Sequence, residues 1–199
     1  MFSVERHRSS GPRRTATPPS VRARVRAMSA IAGAVVLSAT GCGTPSGTGS
    51  ELGDDINVAS TMMQEGEPLP AAYTCEGDGI SPALQWSGVP DDDRIASLAV
   101  VVDAPEDATV FWVLYDLSPE ITEIRQNSVP QPGRQGRNSV GRAAYEPPCP
   151  ENGEPHEYRF TVYALNGGID LPEDAPLAES LDAIAERAVA RGSLITTSE

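Results

Sequence analysis

The sequence predicts a mainly β domain with one helix near its C terminus, and three observations lead there. Two strongly apolar runs, Ala96–Asp103 and Val110–Leu117, are rich in Val, Leu and aromatic residues and are separated by a short polar link. A third strand-like run, Tyr158–Leu165, follows a proline-dense loop, while Gly and Pro punctuate most of the remaining chain. Only the segment beginning near Ala175 carries apolar residues at helical spacing. Short strands between turn signals, with a single late helix, describe a β-rich domain rather than repeated βαβ units.

The chain begins with a leader. Residues 1–30 hold seven arginines against one acid, Glu5, and an apolar run follows from Ile31 to Ala39. A basic segment, a short apolar run and small residues before a cleavage point make a secretory signal. That run is too short to remain in a bilayer as a spanning helix. Ala39-Thr40-Gly41-Cys42 resembles a bacterial lipobox, with ordinary secretion as the alternative. Residues 1–41 are therefore expected to be removed, leaving Cys42 to carry the lipid that holds the chain on the outer face of the cytoplasmic membrane. Residues 42–54, rich in Gly, Ser and Thr, read as a flexible tether, and 55–199 as one domain.

Within that domain the elements follow in order. Ile56–Ala59 is a short strand, and Glu65-Gly66-Glu67-Pro68 a turn. Leu69–Gly79 is mostly loop, and Ile80–Trp86 a short strand behind a Ser81-Pro82 turn. Ala96–Asp103 and Val110–Leu117 are the apolar strands. Ser118–Gly136, long and polar and punctuated by Pro119, Pro130, Pro132 and Gly133, reads as a connection. Asp174 is placed to cap a helix over Ala175–Arg191. Its stripe is Leu177, Leu181, Ile184, Ala185, Ala188 and Val189, with Arg187 and Arg191 suiting the C-terminal dipole and Gly192 ending it. Ser193–Thr197 is expected to be a last strand.

Charge narrows the partners. Removing the leader's seven arginines and one acid from 15 basic and 28 acidic residues leaves 8 against 27, a formal charge of −19. There is no Lys. Such a surface argues against binding nucleic acid, or an anionic membrane face through the body of the domain. Membrane contact is expected through the N-terminal lipid alone. Cys75 and Cys149 remain once Cys42 is assigned to lipid, and an even pair in an exported chain points to a disulfide, with two free thiols as the alternative.

The stretch Asn138–Leu165 carries the candidate chemistry. A loop containing Pro147, Pro148, Cys149 and Pro150 ends in Gly153-Glu154-Pro155-His156, and a strand begins at Tyr158. His156 is the only histidine outside the leader. A pre-organised loop delivering an imidazole and a phenol to a strand mouth is suited to holding an anion. The plainer reading is an exposed loop histidine beside a core strand.

Four segments together resemble the phosphatidylethanolamine-binding protein family, in its bacterial Raf-kinase-inhibitor-like branch. They are Tyr73-Thr74-Cys75-Glu76-Gly77 with Ile80–Trp86; Ser97–Val102 with Asp103-Ala104-Pro105-Glu106; Phe111-Trp112-Val113-Leu114-Tyr115; and Asn138–Gly141 with Tyr145, Pro147–Pro150 and His156-x-Tyr158. The resemblance implies an antiparallel β-sandwich with a peripheral helix, and a shallow pocket for phosphate-like anions or phospholipid head groups. It assigns His156, Tyr158, Asp103, Glu106, Phe111, Trp112 and Pro148 to that pocket. Imidazole and phenol donors meet phosphoryl oxygens there while a carboxylate fixes the imidazole tautomer. Three positions depart from the pattern. Ala104 stands where Asp precedes Pro, Phe111 at the strand histidine, and Glu157 where Arg follows the second His. Alternation sends Asp103 to the face opposite Ala104 unless the strand end is bulged. Losing one imidazole donor and gaining Glu157 is expected to weaken anion binding by about 1–3 kcal/mol and to favour a more apolar ligand.

Three functions compete. The first is a non-catalytic binding module. The second is a kinase- or protease-inhibitor-like module that acts by surface contact, as some members of the family do, with an envelope protein as its candidate partner, although no reactive-loop pattern is present. The third is a hydrolase built from Ser139, His156 and Asp103, without a Gly-x-Ser-x-Gly elbow around the serine. The expectation is no enzyme and no cofactor. No metal is expected either, because one histidine and two paired cysteines leave no ligand cluster, and the Asp91-Asp92-Asp93 run reads as a solvated turn. Trp86 and Trp112 are both of a type that lines ligand pockets, with core packing as the plainer reading for each.

Overall fold

The computed structural model describes residues 52–53, 56–91, 93–149 and 156–198. The expected signal segment 1–41, the lipid site Cys42 and most of the 42–54 tether lie outside the described residues. So do Asp92 of the acidic run and Pro150, Gly153, Glu154 and Pro155 of the proline-rich loop.

In chain order the strands are β1 (Asn57–Ala59), β2 (Leu84–Ser87), β3 (Ser97–Ala104) and β4 (Thr109–Leu117). They continue as β5 (Glu123–Ile124), β6 (Arg134–Gly136) and β7 (Glu157–Leu165), then helix α1 (Leu177–Arg187) and β8 (Ala188–Thr197). Two antiparallel sheets result, a small one ordered β1-β2-β5 and a large one ordered β6-β4-β3-β7-β8. The chain is thus a mainly β sandwich with one C-terminal helix, as its pattern predicts.

The apolar runs lie at the centre because both faces of the large sheet are covered. Leu98, Val100 and Val102 of β3, Leu114 of β4, and Phe160 and Val162 of β7 pack against Val58, Leu84, Trp86 and Ile124 of the small sheet. On the other face Ala99, Val101, Val113 and Tyr115 meet Ile169, Ala175 and Ile184, the last from α1. A strand buried on both sides shows no polar alternation, and Ser97–Val102 are buried without a break. Each fully buried Val, Leu or Phe there contributes about 1.5–3 kcal/mol.

Both edges of the large sheet are occupied by backbone. Gly66 and Leu69 donate to Ile195 and Thr197 carbonyls at 2.8 Å each along β8, and Thr197 donates to Glu67 at 3.0 Å. Along β6, Asp174 donates to Gln135 and Arg137 to Ala175, each at 2.8 Å. Paired edges offer no template to another chain.

Several expectations need correction. The helix is shorter than Ala175–Arg191, starts after Pro176, and has no side-chain cap. Asp174 sits in the left-handed region at φ 65° and forms a bidentate pair with Arg137, at 3.0 and 2.8 Å. Ser180, absent from the expected stripe, is fully buried; it fits because Gly136 has no Cβ, which would lie 2.5 Å from the Ser180 Oγ. The spacing of Ala188 and Val189 continues the helix in sequence, but pairing with β7 overrides it, and β8 begins at Ala188 opposite Leu165. Arg191 and Gly192 are strand residues. Gly192 is required by a close crossing, since a Cβ there would sit 1.6 Å from the Ile56 carbonyl oxygen. Ser118–Gly136 is not wholly a connection: two of its short pieces are β5 and β6, too brief to show a period of their own.

Candidate functional site

The chemistry collects where the β3–β4 turn, the segment 146–149 and the start of β7 meet. The geometry originates in β4. Val102 pairs with Trp112 but Asp103 pairs with Val110, so Phe111 is an extra residue, a β-bulge. The bulge breaks alternation, and both Phe111 and Trp112 pack with the inner core. Phe111 lies edge-on to Tyr158, with centroids 5.9 Å apart, and forms one wall of a cleft of about 400 Å³. Asp107, Thr109, Glu146, Pro147, Cys149, His156 and Tyr158 complete its lining.

His156 is set by its backbone. Its N–H donates to the Ser198 Oγ at 2.8 Å, and its carbonyl accepts from the Ser198 N–H at 2.9 Å. The imidazole Nδ1 stands 3.2 Å from the Asp107 carboxylate, near enough to form an ion pair when protonated, although the geometry falls short of a hydrogen bond. Tyr158, 3% exposed, is held neutral: burial first, and then the Asp107 charge, raise its pKa above 10. The phenol is therefore a donor throughout the physiological range. Glu146 pairs with Arg142, four residues earlier in the loop, which offsets the charge of the second carboxylate.

The loop wall is stapled. Cys75 and Cys149 form a disulfide, and the Cys75 N–H donates to the Pro148 carbonyl at 3.0 Å. Behind the wall the Tyr145 hydroxyl donates to the Tyr73 carbonyl at 2.7 Å. The proline-rich segment is thereby tied through Tyr145 to the end of the 3-10 turn Ala71–Tyr73 and through Pro148 and Cys149 to Cys75 just beyond it.

Of the residues expected at the pocket, His156, Tyr158 and Phe111 come together. The others do not line the cleft. Asp103 points to the face opposite Ala104, as plain alternation requires, because the bulge lies in β4 and leaves β3 regular. There Arg159 binds it through two bonds of 3.1 and 2.6 Å. Glu106 is exposed on the turn, Pro148 is buried behind Pro147, and Trp112 donates its indole N–H to the Gln135 Oε1 at 2.8 Å. The turn 105–108, with Ala108 at φ 50°, brings Asp107 rather than Glu106 to the imidazole. Thr109 and Glu146 also line the cleft without having been expected there, and of the paired prolines it is Pro147 rather than Pro148 that does so. Ser139 is engaged elsewhere, since its Oγ accepts the Val110 N–H at 2.8 Å and it lies outside the cleft lining.

Comparison with known proteins agrees with this architecture. Residues 59–199 match the family model described as phosphatidylethanolamine-binding protein. A UPF0098 protein from Methanothermobacter thermautotrophicus is 34% identical over 149 residues, covering 70% of this chain and 96% of that protein. "Putative lipoprotein LppC" from Mycobacterium tuberculosis is 33% identical over 156 residues, 76% of each chain. Two solved structures share the fold at a TM-score of 0.66 and cover 73% of this chain and 98% of theirs. They are the Chlamydia trachomatis homologue CT736, at 31% identity, and Escherichia coli YbcL, at 28%. The chain belongs to the phosphatidylethanolamine-binding protein family.

Proposed function

We propose that the chain is a binding protein that holds a small phosphate-like anion or phospholipid head group in the His156–Tyr158 cleft and performs no chemistry on it. Family membership supports the binding role. The observation that carries the ligand class is the juxtaposition of His156, 3.2 Å from Asp107, with the neutral hydroxyl of Tyr158 on one cleft. A protonated imidazole and a phenol are the donors that phosphoryl oxygens accept. Their strength is limited. Phe111 supplies no donor, and Asp107 places negative charge beside any anion, whereas the Glu146 charge is offset by Arg142. The cleft walls of Phe111, Pro147 and the disulfide suit an apolar portion of the ligand. Export and lipid attachment at Cys42 belong to the same proposal, supported by the leader pattern and by the LppC relative.

Calorimetric titration of inorganic phosphate into the full chain tests the ligand class. Millimolar binding that His156→Ala abolishes is expected, whereas binding in the low micromolar range would overturn the weakened cleft. Phe111→His restores one donor and is expected to tighten phosphate binding about tenfold or more, since a hydrogen bond to a charged group is worth about 1.5–3 kcal/mol. No gain in that variant counts against the cleft as the anion site.

A further inference from the structure

A second cavity of about 260 Å³ lies on the other side of the segment Ala144–Cys149, lined among others by Trp112, Tyr145, Gln135, Asn127, Ser81 and Ser128. It shares no lining residue with the His156 cleft. In a chain this acidic its chemistry stands out, because no Asp, Glu, Arg or His side chain lines it. A charged ligand entering it would lose its hydration with no counter-charge to meet, which costs several kcal/mol.

A wholly apolar ligand fits no better. Ser81 is only 5% exposed, and its hydroxyl makes no hydrogen bond among the described residues; the oxygen is not sealed off and is open to a partner in the cavity. Gln135 spends its Oε1 on the Trp112 indole at 2.8 Å, leaving the amide NH₂ on the same side chain as a donor. The Asn127 side chain makes no bond within the described residues. Its backbone N–H is fixed to the Ser81 carbonyl at 3.0 Å, which anchors that rim. The Ser128 hydroxyl donates to the Arg125 carbonyl at 2.7 Å and keeps its lone pairs.

The floor is rigid. Trp112 and Tyr145 meet edge-to-face with centroids 5.8 Å apart, and the Tyr145 hydroxyl is tied to the Tyr73 carbonyl. Donors and acceptors of neutral type thus surround an aromatic base, in a space just below the roughly 300 Å³ at which sites for drug-sized ligands begin. Hydroxyl groups, which both donate and accept, match this mixture better than an ion or a hydrocarbon. We infer that this cavity is a second binding site, distinct from the His156 cleft, for a small neutral polyhydroxylated molecule such as a polyol or a monosaccharide unit.

Nuclear magnetic resonance on the full chain tests it, with D-glucose as the probe. The Trp112 indole N–H and the Gln135 side-chain NH₂ signals are expected to move saturably at millimolar glucose. Ser81→Ala removes a hydroxyl that makes no bond within the described residues. It is expected to weaken the response about threefold to tenfold, the effect of one neutral hydrogen bond, without lowering the thermal midpoint. His156→Ala and added phosphate leave the response unchanged. Absent or non-saturating shifts overturn the inference. Competition by phosphate, or loss of the response in His156→Ala, does so as well, because the two cavities would then be one site. A saturable response to acetamide but not to glucose would reassign the cavity to neutral amides and overturn the polyol assignment. Failure of phosphate to bind the cleft leaves these signals, and the inference, untouched.

Discussion

Replacing both bridged cysteines, Cys75→Ser with Cys149→Ser, isolates what the disulfide contributes. The bridge spans 74 residues, so in the chain-entropy picture its absence frees the unfolded chain by about 4.5 kcal/mol at 25 °C. Both positions are exposed, so the serine hydroxyls remain solvated and packing adds little. An ordinary domain has about 5–15 kcal/mol of total stability, so the loss is a large share of it. With an unfolding entropy of about 2.1 cal/mol/K per residue over the expected 55–199 domain, the thermal midpoint falls by about 15 °C. The assay is circular dichroism melting of the double variant beside the parent. The Tyr145–Tyr73 and Cys75–Pro148 hydrogen bonds remain available, so the fold is expected to form. A drop of less than about 3 °C would refute the reasoning, because the bridge would then constrain nothing that other contacts leave open.

Three further outcomes follow from single residues. Gly192→Ala drives a methyl group to within 1.6 Å of the Ile56 carbonyl oxygen, which only a backbone shift relieves. It is expected to cost about 3 kcal/mol or more, read as a midpoint lowered by about 10 °C, and an unchanged melt would contradict the close crossing. Tyr145→Phe removes the donor to the Tyr73 carbonyl, costing about 1–3 kcal/mol in denaturant titration. Burial raises the Tyr145 pKa above 10. Its contribution is therefore complete below that pH and is lost as pH rises through the folded value, an alkaline dependence that Tyr145→Phe removes. Hydrogen bonds from Arg137, reinforced by its charge, hold Asp174 below its ordinary 3.8. That contribution is present above pH 3.8 and fades as pH falls through the lowered folded value, so Asp174→Asn should change the midpoint near neutrality and progressively less under acid. An acid-independent difference between the two proteins would exclude the ion pair as the cause.

Much of the fold is visible in the residues alone. Ala96–Asp103 and Val110–Leu117 are too apolar for a half-exposed strand, and that composition requires a layer on each face, which the small sheet and α1 supply. The cysteine pair, read from parity and the export leader, forms a disulfide. His156 and Tyr158 stand out because a proline-rich loop delivers them to a strand start and because the segment resembles the family's His-x-Tyr pattern. The remainder depended on partners distant in sequence. Whether Asp103, Glu106 or Asp107 meets the histidine depends on a bulge at Phe111 and on the path of a four-residue turn, neither of which has a periodic signal. Ala188 and Val189 satisfy helical spacing, yet nine paired positions with β7 outweigh a local preference worth a few tenths of a kcal/mol per residue. Periodicity reports which way a side chain faces within its own element, and the sequence determined that much. What stands opposite that side chain is set by chain crossings such as Ile56 over Gly192, and only the tertiary structure decided it.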